Sequence, residues 1–224
     1  ASDPVASSRD PLQFEYLTGK WRFASRAEGG QVQLDDLTLG RGAADRPLPR
    51  VTLEFAPGHV SGGTGRAPLP HLLAIARWVA PELVPSGVAL EGEAQEVQFD
   101  WNAARPEGAR LAASARVDDA VVRSPSGHLA AMGLSARLLG TEDRIAVELD
   151  APAVRFESRD HPEQPIERVH VASVLSIVRD DMGWRLTTDD LTLEHTAGAV
   201  SARGSLIGAR AGSSPLLDVR GTVS

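Results

Sequence analysis

Cysteine is absent from the 224 residues, which removes disulfides, thiolate metal sites and a cysteine nucleophile together. Lysine occurs once, as Lys20, and the net charge is −7. An acidic chain with no stripe of cations lacks what neutralises a phosphate backbone, so nucleic acid is not an expected partner. Charged residues make up 24% with both signs interspersed and no block of five, which argues against a disordered tail. No run reaches the roughly 18 apolar residues of a membrane-spanning helix. Residues 1–10 hold no basic stretch followed by an apolar one, so any export signal or anchor is expected outside the sequence. The start at Ala1 rather than Met and the finish on Leu216-Leu217-Asp218-Val219-Arg220 lead to the expectation of a piece cut from a longer chain. Arginine in excess of lysine, with abundant Ala and Gly, points to a GC-rich bacterial source.

What is present is alternation. With 42% hydrophobic residues the chain can bury a sizeable surface, and its apolar positions recur with period two, the spacing that puts successive side chains on opposite faces of a sheet. Val51, Leu53 and Phe55 alternate with Thr52 and Glu54; Leu111, Ala113, Ala115 and Val117 form another series, and Ile145, Val147 and Leu149 a third. Turn residues at Glu28-Gly29-Gly30, Pro57-Gly58, Pro106-Glu107-Gly108 and Pro125-Ser126-Gly127 punctuate these runs at hairpin spacing. The apolar phase slips by one residue at Asp35-Asp36 and again between Ala94 and Val97, so a bulge is predicted near Gln95-Glu96. One segment differs: Leu72, Ile75, Ala76 and Val79 follow helical spacing between Pro70 and Pro81, predicting one short helix at about 70–80. The expected fold class is all-β, mainly antiparallel, a curled or groove-like sheet of about a dozen strands with that single helix. The expected organisation is a flexible segment over 1–18 followed by a β-rich unit over 19–224, with a division into two β subunits near 104–130 left open. Asp35-Asp36-Leu37-Thr38-Leu39 recurs as Asp189-Asp190-Leu191-Thr192-Leu193; with Trp21 and Trp184 upstream, this predicts a repeated Trp-led hairpin.

Nothing in the sequence gathers into a catalytic signature. His59, His71, His128, His161, His170 and His195 show no metal-ligand spacing. Arg159-Asp160-His161 reads as a polar loop. The four Asp-Asp pairs sit at strand ends or phase slips, where Asp bonds its local backbone and protects edges; calcium at Asp180, Asp181 and Asp189 or Asp190 is the weaker reading. Ser126 lacks the nucleophile-elbow glycines. Gly62-Gly63-Thr64-Gly65-Arg66 lacks the lysine of a phosphate loop and is expected to be a flexible loop feeding the helix. No enzyme, no cofactor and no metal is therefore expected.

The order of elements resembles the YhdP branch of the AsmA-like envelope proteins, a group that includes TamB. The likeness rests on Val32-Gln33-Leu34-Asp35-Asp36-Leu37-Thr38-Leu39 followed by Pro47 to Phe55, the Leu-rich helix from Leu72, and Pro85-Ser86-Gly87 leading to Gln98-Phe99-Asp100-Trp101. It continues with Gly133 to Asp143 before a strand ending Leu149-Asp150, then Gly183-Trp184-Arg185-Leu186 and Gly204-Ser205-Leu206. The resemblance implies a long periplasmic protein, anchored in the inner membrane by a part outside this sequence, whose sheet shields phospholipid acyl chains between the inner and outer membranes. Under that reading Leu53, Phe55, Leu90, Phe99, Leu111, Leu138, Val147, Leu149, Val171, Leu175, Leu186 and Leu193 line the apolar side of a groove. The alternative is a structural or interaction β domain of the cell envelope, with a closed core and no ligand, in which the same residues are core.

Overall fold

A computed structural model describes residues 16–26, 28–40, 48–79, 87–161, 164–180, 183–207 and 216–224. The alternating segments form twelve strands: β1 Tyr16–Arg26, β2 Gly29–Gly40, β3 Leu48–Ala56, β4 His59–Pro68, β5 Ala89–Asn102, β6 Leu111–Arg123, β7 Leu129–Thr141, β8 Arg144–Ser158, β9 Ile166–Asp180, β10 Gly183–His195, β11 Gly198–Ile207 and β12 Leu216–Val223. A single helix, α1 Leu69–Val79, separates β4 from β5. All strands join one antiparallel sheet in chain order, β1 to β12, and β1 does not pair with β12. The all-β expectation holds: this is an open, curled meander rather than a barrel, and it runs without interruption through the stretch near 104–130.

Bulges decide the shape of the sheet. Positive φ falls on Asp36 (55°), Glu96 (52°), Asp119 (55°) and Arg168 (58°), and Asp tolerates this left-handed conformation better than most residues. Register shifts flank Glu96, as the phase slip at Gln95-Glu96 predicts, and occur between Thr188 and Leu191 around Asp189-Asp190. A slip of one residue would turn the apolar side chains to the other face; the extra residue in each bulge restores them. Four irregular positions also abut across neighbouring strands. A β-carbon placed on Gly92 of β5 would lie 3.6 Å from the Asp119 carbonyl oxygen of β6. One on Gly133 of β7 would lie 3.9 Å from Asp119 Oδ1 and 3.2 Å from the Ala153 carbonyl oxygen of β8. Aligned bulges bend all four strands at one line, and the line is a crease.

The closed part of the protein flanks that crease. Leu69 of α1 is buried with Ala94, Val117 and Ala120, and Leu72 packs against them. Ala151, Val154, Val169 and Val171 make a second buried cluster, with Leu134 touching both. The residues beneath α1 are mostly small because a helix must approach a sheet closely there.

Three expectations are corrected. Residues 16–18 belong to β1, so the ordered sheet starts before residue 19; residues 1–15 lie outside the described residues. Gly62-Gly63-Thr64-Gly65 is not a loop but the middle of β4, paired on one side to Leu53, Thr52 and Val51 and on the other to Phe99, Gln98 and Val97. Glycine carries no apolar signal, so periodicity misses a strand whose pairing is done by its neighbours. Trp184 and Asp189-Asp190-Leu191-Thr192-Leu193 share the one strand β10, whereas Trp21 is in β1 and its companion pentapeptide in β2. The two pentapeptides repeat a bulge, not a hairpin.

Candidate apolar track

The pairing register carries single rows of side chains across the sheet. Directly opposed residues share a face, and one row can be followed through every strand: Phe23, Val32, Leu53, Gly62, Phe99, Ala113, Gly140, Ile145, Ile177, Leu186, Leu206 and Leu217. Not one member is polar. Eleven steps of about 4.8 Å make the row roughly 50 Å long. The row one residue away, on the other face, is Arg22, Gln33, Thr52, Gly63, Gln98, Ser114, Leu139, Ala146, Ser176, Thr187, Ser205 and Asp218. The sheet thus separates an apolar face from a largely polar one along its whole length.

Parallel rows widen the apolar face. On one side of the first row, Gly30, Phe55, Val60, Trp101 and Leu111 pair in sequence from β2 to β6. On the other side stand Trp21, Leu34, Val51, Thr64 and Val97, continued by Ala115, Leu138, Val147, Leu175, Thr188, Gly204 and Val219. A further row holds Ala94, Val117, Ala136, Leu149, Ser173, Leu191 and Ala202. The hydroxyls on this face are satisfied inside the protein. Ser173 Oγ and Thr188 Oγ1 lie 2.9 Å apart, and Thr64 Oγ1 donates to the Arg66 carbonyl oxygen at 2.8 Å. Such groups ask no hydrogen bond of a ligand or of water.

Close packing within the first row depends on missing side chains. A β-carbon at Gly62 would come within 2.7 Å of Leu53 Cδ2 and 3.0 Å of Phe99 Cε1, so these two neighbours close over the glycine and make the row continuous. Phe55 leans over Gly30 in the same manner and stacks on Phe23 with ring centroids 6.0 Å apart.

The structure places all twelve residues named from the sequence on this face. Leu53, Phe99 and Leu186 are in the first row; Leu138, Val147 and Leu175 in the second; Phe55 and Leu111 in the rim row; Leu149 in the fourth. Leu90 packs on the α1 cluster, Leu193 on the second cluster, and Val171 is itself a buried member of that cluster, 5% exposed. Those three stand at the closed end beside the crease. Sequence reading missed Trp21, Phe23, Ile145, Ile177, Leu206 and Leu217; each lies in an alternating run, but which runs align with one another is set by hairpin register, which no single run contains.

The exposed part of the face is large. Trp21, Phe23 and Phe55 near one edge, Trp101 at the rim, and Leu206, Leu217, Val219 and Val223 near the other edge are all exposed, Phe23 to 66% and Leu217 to 65%. These exposed members stand at the two edges of the sheet or at its rim, with the half-buried Leu53, Phe99, Ile145, Ile177 and Leu186 between them. Among the described residues only α1 crosses the face.

The polar face is held by ion pairs across strands. Glu91 of β5 meets Arg123 of β6 at 2.8 Å, and Arg155 of β8 meets Glu157 at 2.8 Å and Glu167 of β9 at 3.1 Å. The Arg50 guanidinium, 2.8 Å from Asp35, and then the Gln33 amide hold the Asp35 carboxyl below its usual value. A hollow of about 1580 Å³ is bounded by charged and polar residues, Arg50 and Glu54 of β3, Ser61 of β4, Asp100 of β5 and Arg144 of β8, together with Gly62, Val97, Phe99, Ala113 and Gly140 of the apolar rows. Its mixed charges suit no single ion.

The histidines do not converge. His59 Nε2 lies 2.6 Å from Asp100 Oδ2, and that hydrogen bond, ahead of the Arg105 charge, lowers the Asp100 pKa. His128 meets Asp160 at 3.2 Å in adjoining turns, so Asp160 of the Arg159-Asp160-His161 segment faces a histidine outside it. His170 is bracketed by Asp150 at 3.1 Å and Glu194 at 3.4 Å, one on each ring nitrogen; with both nitrogens occupied it bridges three strands. Among the described residues no three His, Cys, Asp or Glu side chains are placed to share a metal ion; of the calcium candidates, Asp181 lies outside them. Ser126 Oγ lies 3.3 Å from Ser124 Oγ in the β6–β7 turn.

Comparison with protein-family models, with curated proteins and with solved structures found no match to this chain.

Proposed function

We propose that this chain is a segment of a periplasmic lipid-conducting β-groove protein, which carries phospholipids between the inner and outer membranes and supports outer-membrane integrity. The observation that carries the reading is the uninterrupted apolar row across all twelve strands on a face that no second sheet covers. A closed β domain buries such a face against another layer; here the remaining way to shield it from water is a ligand as long and apolar as the row itself. Acyl chains have that chemistry, and a path running across strands lets a lipid advance past equivalent side chains at each step. The Ser173–Thr188 and Thr64 hydroxyls, satisfied internally, leave the track without polar obstacles. In this reading Leu53, Phe99, Leu138, Val147, Leu149, Leu175 and Leu186 line the track, Phe55 and Leu111 its rim, and Val171 supports it from the core. The protein performs no chemistry on the lipid, needs no cofactor, and meets the two membranes through parts of the protein beyond this sequence, including an inner-membrane anchor.

The test is mass spectrometry of an organic extract of the purified protein. Phospholipid in a ratio of one to a few per chain is the expected result. A blank extract, together with no uptake from vesicles, favours instead a structural β domain of the envelope, the reading to which the dry clusters beside the crease belong.

A further inference from the structure

We infer that the two outer edges of the sheet are complementary, so that β12 of one copy of this chain takes β1 of a second copy as its next antiparallel neighbour. The inference does not depend on what the apolar face carries. Among the described residues neither outer edge has a partner. Both edges present apolar side chains of one face to water: Trp21 and Phe23 of β1 are 59% and 66% exposed, Leu217 and Val219 of β12 65% and 57%. β12 has no proline, lysine or bulge, the devices that keep an edge from pairing. The free backbone groups fall on the same residues as the exposed side chains. Ser224 and Ala199 exchange both hydrogen bonds, at 2.9 and 3.0 Å, so Ser224 faces β11. By the alternation of an antiparallel ladder, Leu217, Val219, Gly221 and Val223 then turn their N–H and C=O groups outward. On β1 the Ala24 carbonyl points across to β2, its oxygen 3.0 Å from where a β-carbon on Gly30 would stand, which leaves the backbone of Trp21 and Phe23 facing outward.

One register suits both strands. Because the sheet has an even number of strands, β1 of a second copy enters antiparallel to β12 with that copy oriented like the first. Setting Leu217 opposite Phe23 also sets Val219 opposite Trp21. Both long apolar rows then run on into the next copy, one as Leu206, Leu217, Phe23 and Val32, the other as Gly204, Val219, Trp21 and Leu34. On the polar face the same register sets Asp218 opposite Arg22. It also sets Arg220 opposite Lys20, a like pair offset by the acids already beside them, Asp218 at 3.8 Å from Arg220 and Asp36 at 3.9 Å from Lys20. A slide of two residues one way brings Arg220 onto Arg22; the other way it brings Val219 onto Gly19 and leaves Phe23 beyond the start of β12. A slide of one residue reverses the faces. β1 holds cations and no acid, so joined to a second β1 it sets cation against cation. The rival is β12 joined to itself about a two-fold, with Asp218 opposite Arg220; that joint sets Leu217 against Gly221 and leaves Trp21 and Phe23 in water.

The test is sedimentation velocity of the whole chain over a range of concentrations. The unaltered protein is expected to pass from one chain to two, and then to longer arrays, as concentration rises. Proline at position 21 or 219 removes only an outward N–H and no existing ladder bond, so Trp21→Pro and Val219→Pro should each keep the circular dichroism of the fold and sediment as single chains throughout. Mixed in equal amounts, they should form a two-chain species and stop there, β12 of the first variant holding β1 of the second. A dimer of Trp21→Pro alone identifies β12 joined to itself and overturns the inference. So does a mixture that stays single, or unaltered protein that remains one chain at its highest soluble concentration. Should either variant fail to fold, disulfide trapping decides. The chain has no cysteine, and the inferred register opposes Ala24 and Leu216 at the ~4.5 Å Cα spacing of a non-hydrogen-bonded pair, within disulfide reach. On mild oxidation, chains carrying Ala24→Cys should cross-link to chains carrying Leu216→Cys in excess over either with itself; no such excess overturns the joint.

Discussion

The two ends of the strands are built on different principles although one sheet contains both. At the crease, Ala94, Ala151 and Val154 are fully buried and side chains are small, and α1 packs on Ala94 through Leu69. At the other end Phe55 and Trp101 are more than one-third exposed, side chains are large, and nothing in the described protein lies over them. Alternation is equally clean at both ends, so it is not what separates them. The bulges do: they convert a flat apolar face into a folded one where they line up, and leave it open where they do not. The two most buried clusters flank the crease, and the lipid-holding capacity proposed above belongs to the open rows.

The widest separation is expected for an added charge. Val154→Asp places a carboxylate where no water reaches, a cost of several kcal/mol against a total margin of about 5–15 kcal/mol, so this variant should be unfolded by circular dichroism. Phe55→Asp at the rim should remain folded, losing about 1–2 kcal/mol in urea denaturation from the Phe23 stack and the cover over Gly30, and should bind less lipid. Equal loss of fold in both would mean that the rim is core after all. A narrower contrast lies within β4. Gly62→Ala sets a β-carbon 2.6 Å from the Thr52 carbonyl oxygen as well as against Leu53 and Phe99 and should cost about 1–3 kcal/mol, whereas a β-carbon at Gly65 meets nothing within 4 Å, so Gly65→Ala should change the urea midpoint little or raise it. The crease itself is sharpened by Asp119, held at φ 55°. Asp119→Gly should be neutral or slightly stabilising, and Asp119→Val should lose about 1 kcal/mol more because a β-branched residue resists that conformation.

The smallest effect concerns pH and the polar face. Asp150, then Glu194, raise the His170 pKa above its ordinary 6.5. A histidine whose folded value is raised stabilises the fold fully below the unfolded value, and that contribution is lost as pH rises through the folded value. The Tm of the unaltered protein should therefore fall slightly more than that of His170→Gln between about pH 6 and pH 8, by an amount limited by the exposure of the site. A His170→Gln profile identical to that of the unaltered protein would show that the three-strand bridge contributes nothing measurable.

Much of this was legible in the residues. Alternation and turn spacing predict the antiparallel strands, helical spacing between two prolines predicts α1 to within a residue, and the slip at Gln95-Glu96 locates the bulge at Glu96. What stayed hidden has physical causes. Gly62 to Gly65 carries no pattern of its own and is a strand only because Leu53 and Phe99 need a bare backbone between them. The crease depends on bulges in four different strands falling on one line, and the continuous row on the register of eleven successive strand pairs. Register is a property of pairs of segments, so reading one segment at a time finds the members of the track without finding the track.

Among the described residues each strand contacts, apart from α1 on β4 and β5, only the strands next to it in the chain. The molecule is consequently one-dimensional in its energetics, with stability accruing from neighbour to neighbour as in stacked repeats, and no closure condition fixes how many strands there must be. A barrel that gains a hairpin must change its diameter and tilt; an open meander that gains one merely becomes longer by two steps, with every older contact untouched. Span is then a quantity that can be set by duplication or deletion alone, and the distance such a sheet bridges can be adjusted hairpin by hairpin without redesigning any part of it.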